Sequence, residues 1–392
     1  MTTEGPPTRT LIDLFAGCGG GSMGFVAAGF KPVAAIEMDR NAAEAYEANL
    51  GLKPIVKNIR RVTDEELLLK SGLRAGSCTL LFGCPPCQSF TLLRKASKAT
   101  SRDRRRNTLY IEYLRLVRAV RPRHIAFENV PGMLSPRWRP HFDALIDGLS
   151  ELGYRSEWDE IDAADFGVPQ RRRRLLVVAS RVGRPQLPQP THAEKTGSGR
   201  KRHRTVRDAI GDCERLDVGE RDLSDPYHAA RNHTEIALRR LRAIPEGGGR
   251  ADLPEELQLT CHKKHNGHYD IYGRMWWDRP APTLTSGCTN VTRGRFAHPE
   301  QDRAITLREA MLLQSFPSGA QLRGTTDEMA LQIGNAIPAL LAQRVGEAVM
   351  AIEEAATTRP RVADAATRPA RPHDAGTPSR SRAVISLASS RT

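Results

Sequence analysis

Short apolar runs that alternate with amphipathic stretches leave few folds open to the first half of this chain. "TLIDLFAG", "PVAAIEMD", "PIVKNI", "CTLLFGCPP", "HIAFENV" and "RLLVVAS" read as buried strands. Between them "NAAEAYEANL", "TDEELLLKSG", "NTLYIEYLRLVRAV" and "RPHFDALIDGLSELG" read as helices. Such alternation predicts an α/β fold in which a mostly parallel sheet is covered by helices on both faces, with ligands bound at the carboxyl ends of its strands. From Arg181 onward the texture turns to Pro, Gly, His and Arg with weak periodicity, which predicts a second, irregular domain. "ALLAQRVGEAVMAIEEA" then restores a helical pattern.

The formal charge of +14 over 392 residues points to a polyanionic partner, nucleic acid first, because Lys and Arg that neutralise phosphates gain affinity from counterion release. Seven Arg against two Asp lie in residues 357–392, so 14 minus 5 leaves +9 for the body. That tail is poor in large apolar residues and is expected to be disordered. Seven scattered cysteines without a signal peptide argue against a disulfide framework and for a reduced cytoplasm. With no apolar run of roughly 20 residues, the chain is expected to be soluble.

The first strand runs into "DLFAGCGGGSMGF", whose glycines permit a tight turn and close backbone approach to a ligand at a helix start. Glu37 ends the second strand 20 residues after Gly17, at the distance where an acidic side chain accepts from ribose hydroxyls. Ser22 stands where a dinucleotide motif needs its third glycine, which leaves room for S-adenosylmethionine. At the end of the fourth strand, "GCPPCQSF" admits three readings. A zinc site would draw on the distant Cys261, His262, His265 and His268; a redox pair would use Cys84 with Cys87. A nucleophilic Cys87, held by Pro85 and Pro86, requires an acid or base nearby. "HIAFENV" supplies Glu128 at the end of the next strand. "GVPQRRRRLLVVA" places Arg172 and Arg174 on one side of an extended segment.

In this order the blocks "DLFAGCGG", "PPCQSF", "FENV", "QRRRR", "RPAPTLT" and "QIGNAIP", spread over residues 11–338, resemble the DNA (cytosine-5)-methyltransferase family. The resemblance implies a Rossmann-like sheet domain at residues 1–180 and a smaller target-recognition domain at 181–325. A segment at 326–356 would return to the first domain, ahead of the basic tail at 357–392. It implies methyl transfer to carbon 5 of a flipped-out cytosine, with Cys87 adding to carbon 6, Glu128 supporting ring nitrogen 3 and Arg172 holding the base oxygen. Cys84 has no part in that scheme, and Cys84→Ala is expected to retain activity.

For S-adenosylmethionine the resemblance implies Phe15, Ala16, Gly17, Gly19 and Gly20 along the cofactor and Glu37 on the ribose. Met38 and Ile59 would lie about the adenine, with Asn58 at its amino group and Pro86 and Asn335 completing the pocket. No metal is implied. Family members mostly carry Asp where this chain has Asn58. The loop "RKASKATSRDRRRN" would close over DNA phosphates. The expected setting is a cytoplasmic, nucleoid-associated monomer on duplex DNA, in restriction-modification, phage defence or epigenetic marking, with a cognate endonuclease as a possible partner. Methylation of transfer RNA and an inactive DNA-binding protein are the alternatives; retention of Cys87, Glu128 and the glycine turn speaks against the latter.

Overall fold

The computed structural model of the protein describes residues 8–86, 108–195, 197, 199–259 and 269–358. Cys87, residues 88–107, residues 260–268 with their Cys and His, and the tail from residue 359 lie outside them.

Seven strands form one sheet in the order β3-β2-β1-β4-β5-β7-β6. They are β1 (Thr10–Asp13), β2 (Lys31–Glu37), β3 (Ile55–Val56), β4 (Leu80–Gly83), β5 (His124–Asn129), β6 (Arg155–Asp162) and β7 (Arg173–Ser180). The first five run parallel, whereas β7 is antiparallel to both β5 and β6. This is the mostly parallel, Rossmann-like arrangement that the alternation predicts. The chain passes from β1 outward to β3 and returns to β4 on the other side of β1, so a crevice opens between the carboxyl ends of β1 and β4. The strand β6, "RSEWDEID", has no counterpart among the expected strands. It lies at the sheet edge and is largely exposed, so it needs no apolar run to be stable there.

Side chains alternate across the sheet and build two cores. On one face Ile12, Leu81, Ile125, Phe127 and Val177 pack beneath the helices Leu109–Val120 and Arg139–Glu151. On the other, Leu80, Phe82, Ala126, Leu176 and Val178 meet the helices Gly20–Ala27 and Ala339–Thr358. The last two helices touch closely because Gly24 has no side chain: a Cβ there would lie 2.0 Å from the carbonyl oxygen of Ala339.

Between Arg181 and Arg323 the described elements are short, the helix Glu235–Ala243 being the longest. Ala237, Leu241, Ile244, Tyr272 and Ala297 form a small core of their own. Polar pins do much of the remaining work: Arg303 makes a fully buried two-pronged pair with Glu309, at 2.9 and 2.8 Å. Arg274 donates to the carbonyls of Leu241, Ile244, His298 and Gln301. The guanidinium groups of Arg279 and Arg295 lie over the Trp276 ring, 4.7 and 4.6 Å from its centre. Trp277 meets Arg207 and the edge of His298. A third cluster joins this region to the first: Cys18 and Met23 from the glycine-rich segment pack with Met275, Leu284, Phe316 and Ile333.

Candidate active site

At the carboxyl end of β1 the glycine turn divides its labour. Gly17 and Gly19 hold φ of +53° and +92°, where a side chain would be strained. Among the described residues no atom stands within 4 Å of where a Cβ of Gly17 would be. Gly20 instead faces Ala336, 2.9 Å from its missing Cβ, and serves contact with the returning C-terminal segment. Glu37 closes the turn from β2, as Oε2 accepts from the Gly17 N–H at 2.8 Å and Oε1 accepts from those of Met38 and Asp39. Burial pushes its carboxyl upward, against the pull of these N–H groups. Beneath the turn Asp13 accepts from Ser22, which is joined to Tyr46; burial carries the Asp13 carboxyl up to about 7.

The other residues implied for the cofactor end the neighbouring strands. Phe15 and Gly17 are half-buried and Ala16 is buried. Met38 is 67% exposed just beyond β2, a large apolar side chain without cover. Asn58 is exposed and caps the turn after β3, its Oδ1 accepting from the Arg60 N–H. Ile59 is only 5% exposed and packs into the core beneath the helices, so of the expected adenine pair Met38 alone presents an open surface. Pro86 and Asn335 are exposed at the ends of the "CPP" segment and of the helix Thr326–Asn335.

At the ends of β4 and β5 the register sets Gly83 opposite Phe127. Gly83 accommodates the Tyr113 ring, which would lie 2.4 Å from an added Cβ. Beyond it the Cys84 thiol donates to Oε2 of Glu128, and Nδ2 of Asn129 donates to the Pro85 carbonyl at 3.4 Å. These contacts tie the segment leading to Cys87 onto the end of β5. Glu128 is 3% exposed. Its Oε1 lies 2.7 Å from Nε of Arg174 in an ion pair, yet this oxygen is buried and accepts no aligned hydrogen bond among the described residues. A buried carboxylate oxygen with unused acceptor capacity beside a cation is suited to receive a polar substrate group.

Arg172 does not stand at Glu128. It is 3% exposed and its guanidinium donates to the carbonyls of Leu284 and Gly334, each at 3.1 Å. The cause is local. Arg172 precedes β7, its own N–H is held by Asp162, and Gln170 accepts from the Leu284 N–H, so this stretch is sewn to the "RPAPTLT" segment. Arg174 lies inside β7 on the sheet face shared with Glu128. The spacing places both arginines on one side, and the strand boundary separates them.

A family model described as C-5 cytosine-specific DNA methylase matches residues 9–351. The Type II methylase M.HgiDII of Herpetosiphon aurantiacus is 38% identical over 360 residues, covering 90% of this chain and 98% of that protein. The Type II methyltransferase M1.HphI of Haemophilus parahaemolyticus is 33% identical over 343 residues, covering 87% and 86%. Among solved structures, a putative DNA modification methyltransferase encoded within an Escherichia coli prophage superposes with a TM-score of 0.65 at 20% identity, covering 88% of this chain and all of that one, a likeness of fold. With a sheet of this topology, a glycine turn closed by an acidic residue and a buried carboxylate at the crevice, the chain belongs to the C-5 cytosine-specific DNA methylase family and is a DNA (cytosine-5-)-methyltransferase.

Proposed function

We propose that the enzyme takes S-adenosylmethionine as methyl donor and modifies a cytosine turned out of duplex DNA, with Cys87 as nucleophile, Glu128 at ring nitrogen 3 and Arg174 in the role first expected of Arg172. The observation that carries this reading is the buried Oε1 of Glu128, which accepts no aligned hydrogen bond among the described residues and lies beside Arg174.

The residues about the glycine turn suit the donor: no described atom near where a Cβ of Gly17 would be, a carboxylate at Glu37 whose Oε2 keeps a lone pair for a ribose hydroxyl, and the bare Met38 for the adenine. When bound, the cofactor supplies an electrophilic methyl carbon. Cytosine is electron-poor, and addition of the Cys87 thiolate to carbon 6 makes carbon 5 nucleophilic. As this addition sends charge to ring nitrogen 3, Glu128 delivers a proton there, and Arg174 beside it is suited to the base oxygen. Loss of the carbon 5 proton then expels Cys87. The base must leave the stack to be reached.

The region at 181–325 serves target recognition in this reading, and the exposed Arg279 offers a cation for DNA phosphates. The Type II names of the relatives support a place in restriction-modification, with a cognate endonuclease as partner. A monomer in the cytoplasm fits that setting, and no helix among the described residues is long and apolar enough to cross a membrane.

Duplex DNA with 5-fluorocytosine at the target position tests the chemistry. Addition and methyl transfer can proceed, but release needs a carbon 5 proton that fluorine replaces. A complex that survives denaturation should form in the presence of S-adenosylmethionine. Its absence with enzyme that methylates ordinary DNA would overturn the carbon 5 mechanism.

A further inference from the structure

Two acceptor oxygens of Glu128 have different fates, and a side chain outside the reaction scheme decides which is which. Oε2 receives the Cys84 thiol, while Oε1 points at Arg174 and accepts no aligned hydrogen bond among the described residues. A glutamate side chain ends in a soft sp³–sp² torsion with broad, nearly two-fold preferences, so burial alone does not fix the plane of the carboxylate and the direction in which an oxygen faces the crevice. We propose that Cys84 is a positioning residue: its thiol locks the Glu128 carboxylate in the rotation that presents Oε1 to the cytosine. This rests on the catalytic reading of Glu128 given above.

The geometry that brings the two together is built into the sheet. Leu80 and Phe82 of β4 and Ala126 of β5 belong to the core on the face covered by the helices Gly20–Ala27 and Ala339–Thr358. By the two-residue period Cys84 and Glu128 continue those rows on the same face. Cys84 packs against that core, so its sulfur is held as well as its partner. A thiol suits the place because it combines small apolar bulk with one weak donor. The proline pair that follows stiffens the segment, and Pro85 is fastened separately through Asn129. With Oε2 held by the thiol, Oε1 stays aimed along one direction, whereas a carboxylate free to turn about this torsion would spend part of its time in planes that aim neither oxygen at the base.

Single-turnover methylation of a target duplex by the full chain tests this, with Cys84→Ala, Cys84→Ser and Glu128→Gln alone and in combination. Cys84→Ala should slow methyl transfer by roughly 3- to 10-fold, the worth of one hydrogen bond of this kind, and leave the KM for S-adenosylmethionine and the affinity for DNA unchanged. Cys84→Ser restores a donor and should recover most of the rate. In the Glu128→Gln background Cys84→Ala should have little further effect, because the group it orients is already lost. An unchanged rate in Cys84→Ala, or an equal fall in both backgrounds, overturns the proposal. A Glu128→Gln enzyme as fast as the parent would instead overturn the catalytic reading of Glu128. If Cys84→Ala unfolds below the assay temperature, Cys84→Val against Cys84→Thr decides. The two are nearly equal in shape, only threonine has a donor, and equal rates refute positioning.

Discussion

Replacing Arg172 and Arg174 separately by alanine should produce two different kinds of defect, although the residues are two apart in a run of four arginines. The guanidinium of Arg172 makes two hydrogen bonds to buried carbonyls, those of Leu284 and Gly334. A hydrogen bond to a charged group contributes about 1.5–3 kcal/mol, so Arg172→Ala removes about 3–6 kcal/mol and leaves two carbonyls unsatisfied. For a domain of this size each kcal/mol moves Tm by about 2 °C, giving a fall of about 6 °C or more. Arg174 makes its main contact with Glu128, at 2.7 Å, between side chains 12% and 4% exposed. Arg174→Ala also costs stability, because it strands a buried carboxylate, but its mark should be on chemistry. Loss of one preorganised electrostatic group lowers turnover by about 100- to 1,000-fold. Thermal melts and single-turnover methylation on the same preparations separate the two, provided the turnover is measured well below both melting temperatures. If Arg172→Ala melted like the parent and lost turnover while Arg174→Ala remained active, the assignment of Arg174 to the base would be refuted.

Cys87→Ala should lose methyl transfer while still binding S-adenosylmethionine, which calorimetry checks; lost cofactor binding would return a structural role to the cysteine pair. Glu353, on the last helix, accepts from His124 and Arg123. Burial alone would raise its carboxyl, but these partners outweigh it and hold it at about 2, from an ordinary value of 4.5. A depressed carboxylate stabilises the fold above its unfolded pKa and loses that contribution as pH falls through the window from about 4.5 to about 2, here up to about 3 kcal/mol. Melts of Glu353→Gln and the parent should therefore differ at pH 6 and converge near pH 2; an undiminished gap would refute the pairing. Deleting residues 359–392 removes seven arginines and should flatten the slope of log DNA affinity against log salt, leaving single-turnover rates at saturating DNA unchanged.

The parallel part of the sheet was legible because strands buried on both faces must be apolar along their whole length, and "LLFG" and "HIAFEN" are recognisable without context. The strand "RSEWDEID" escaped notice for the converse reason. At the edge its pairing with β7 comes from backbone groups, and its side chains report solvent more than structure. The brief β3 shows another limit, since "PIVKNI" reads as six residues of strand but Asn58 caps a turn after only two. The irregular region was recognised by its want of period. What holds it, Arg274 on four carbonyls and Arg303 on Glu309, involves partners 6 to 33 residues apart that no local pattern connects.

The site was legible in its residue types and less so in its directions. That Gly17 and Glu37 belong together follows from a spacing, and the structure joins them by one hydrogen bond. That Arg174 and not Arg172 meets Glu128 depends on where β7 begins, because a residue just outside the strand is held by Asp162 and one just inside it by the pleat. The same logic applies to Cys84. Read along the chain it is a neighbour of two prolines and a nucleophile; read across the sheet it is the next member of the row Leu80, Phe82, opposite the row Ala126, Glu128. Counting by two from the buried strand residues would have paired it with Glu128 before any coordinates were known. The contact then follows from register, and a slip of one residue in β4 alone would turn Cys84 to the opposite face, away from Glu128, and dissolve the contact.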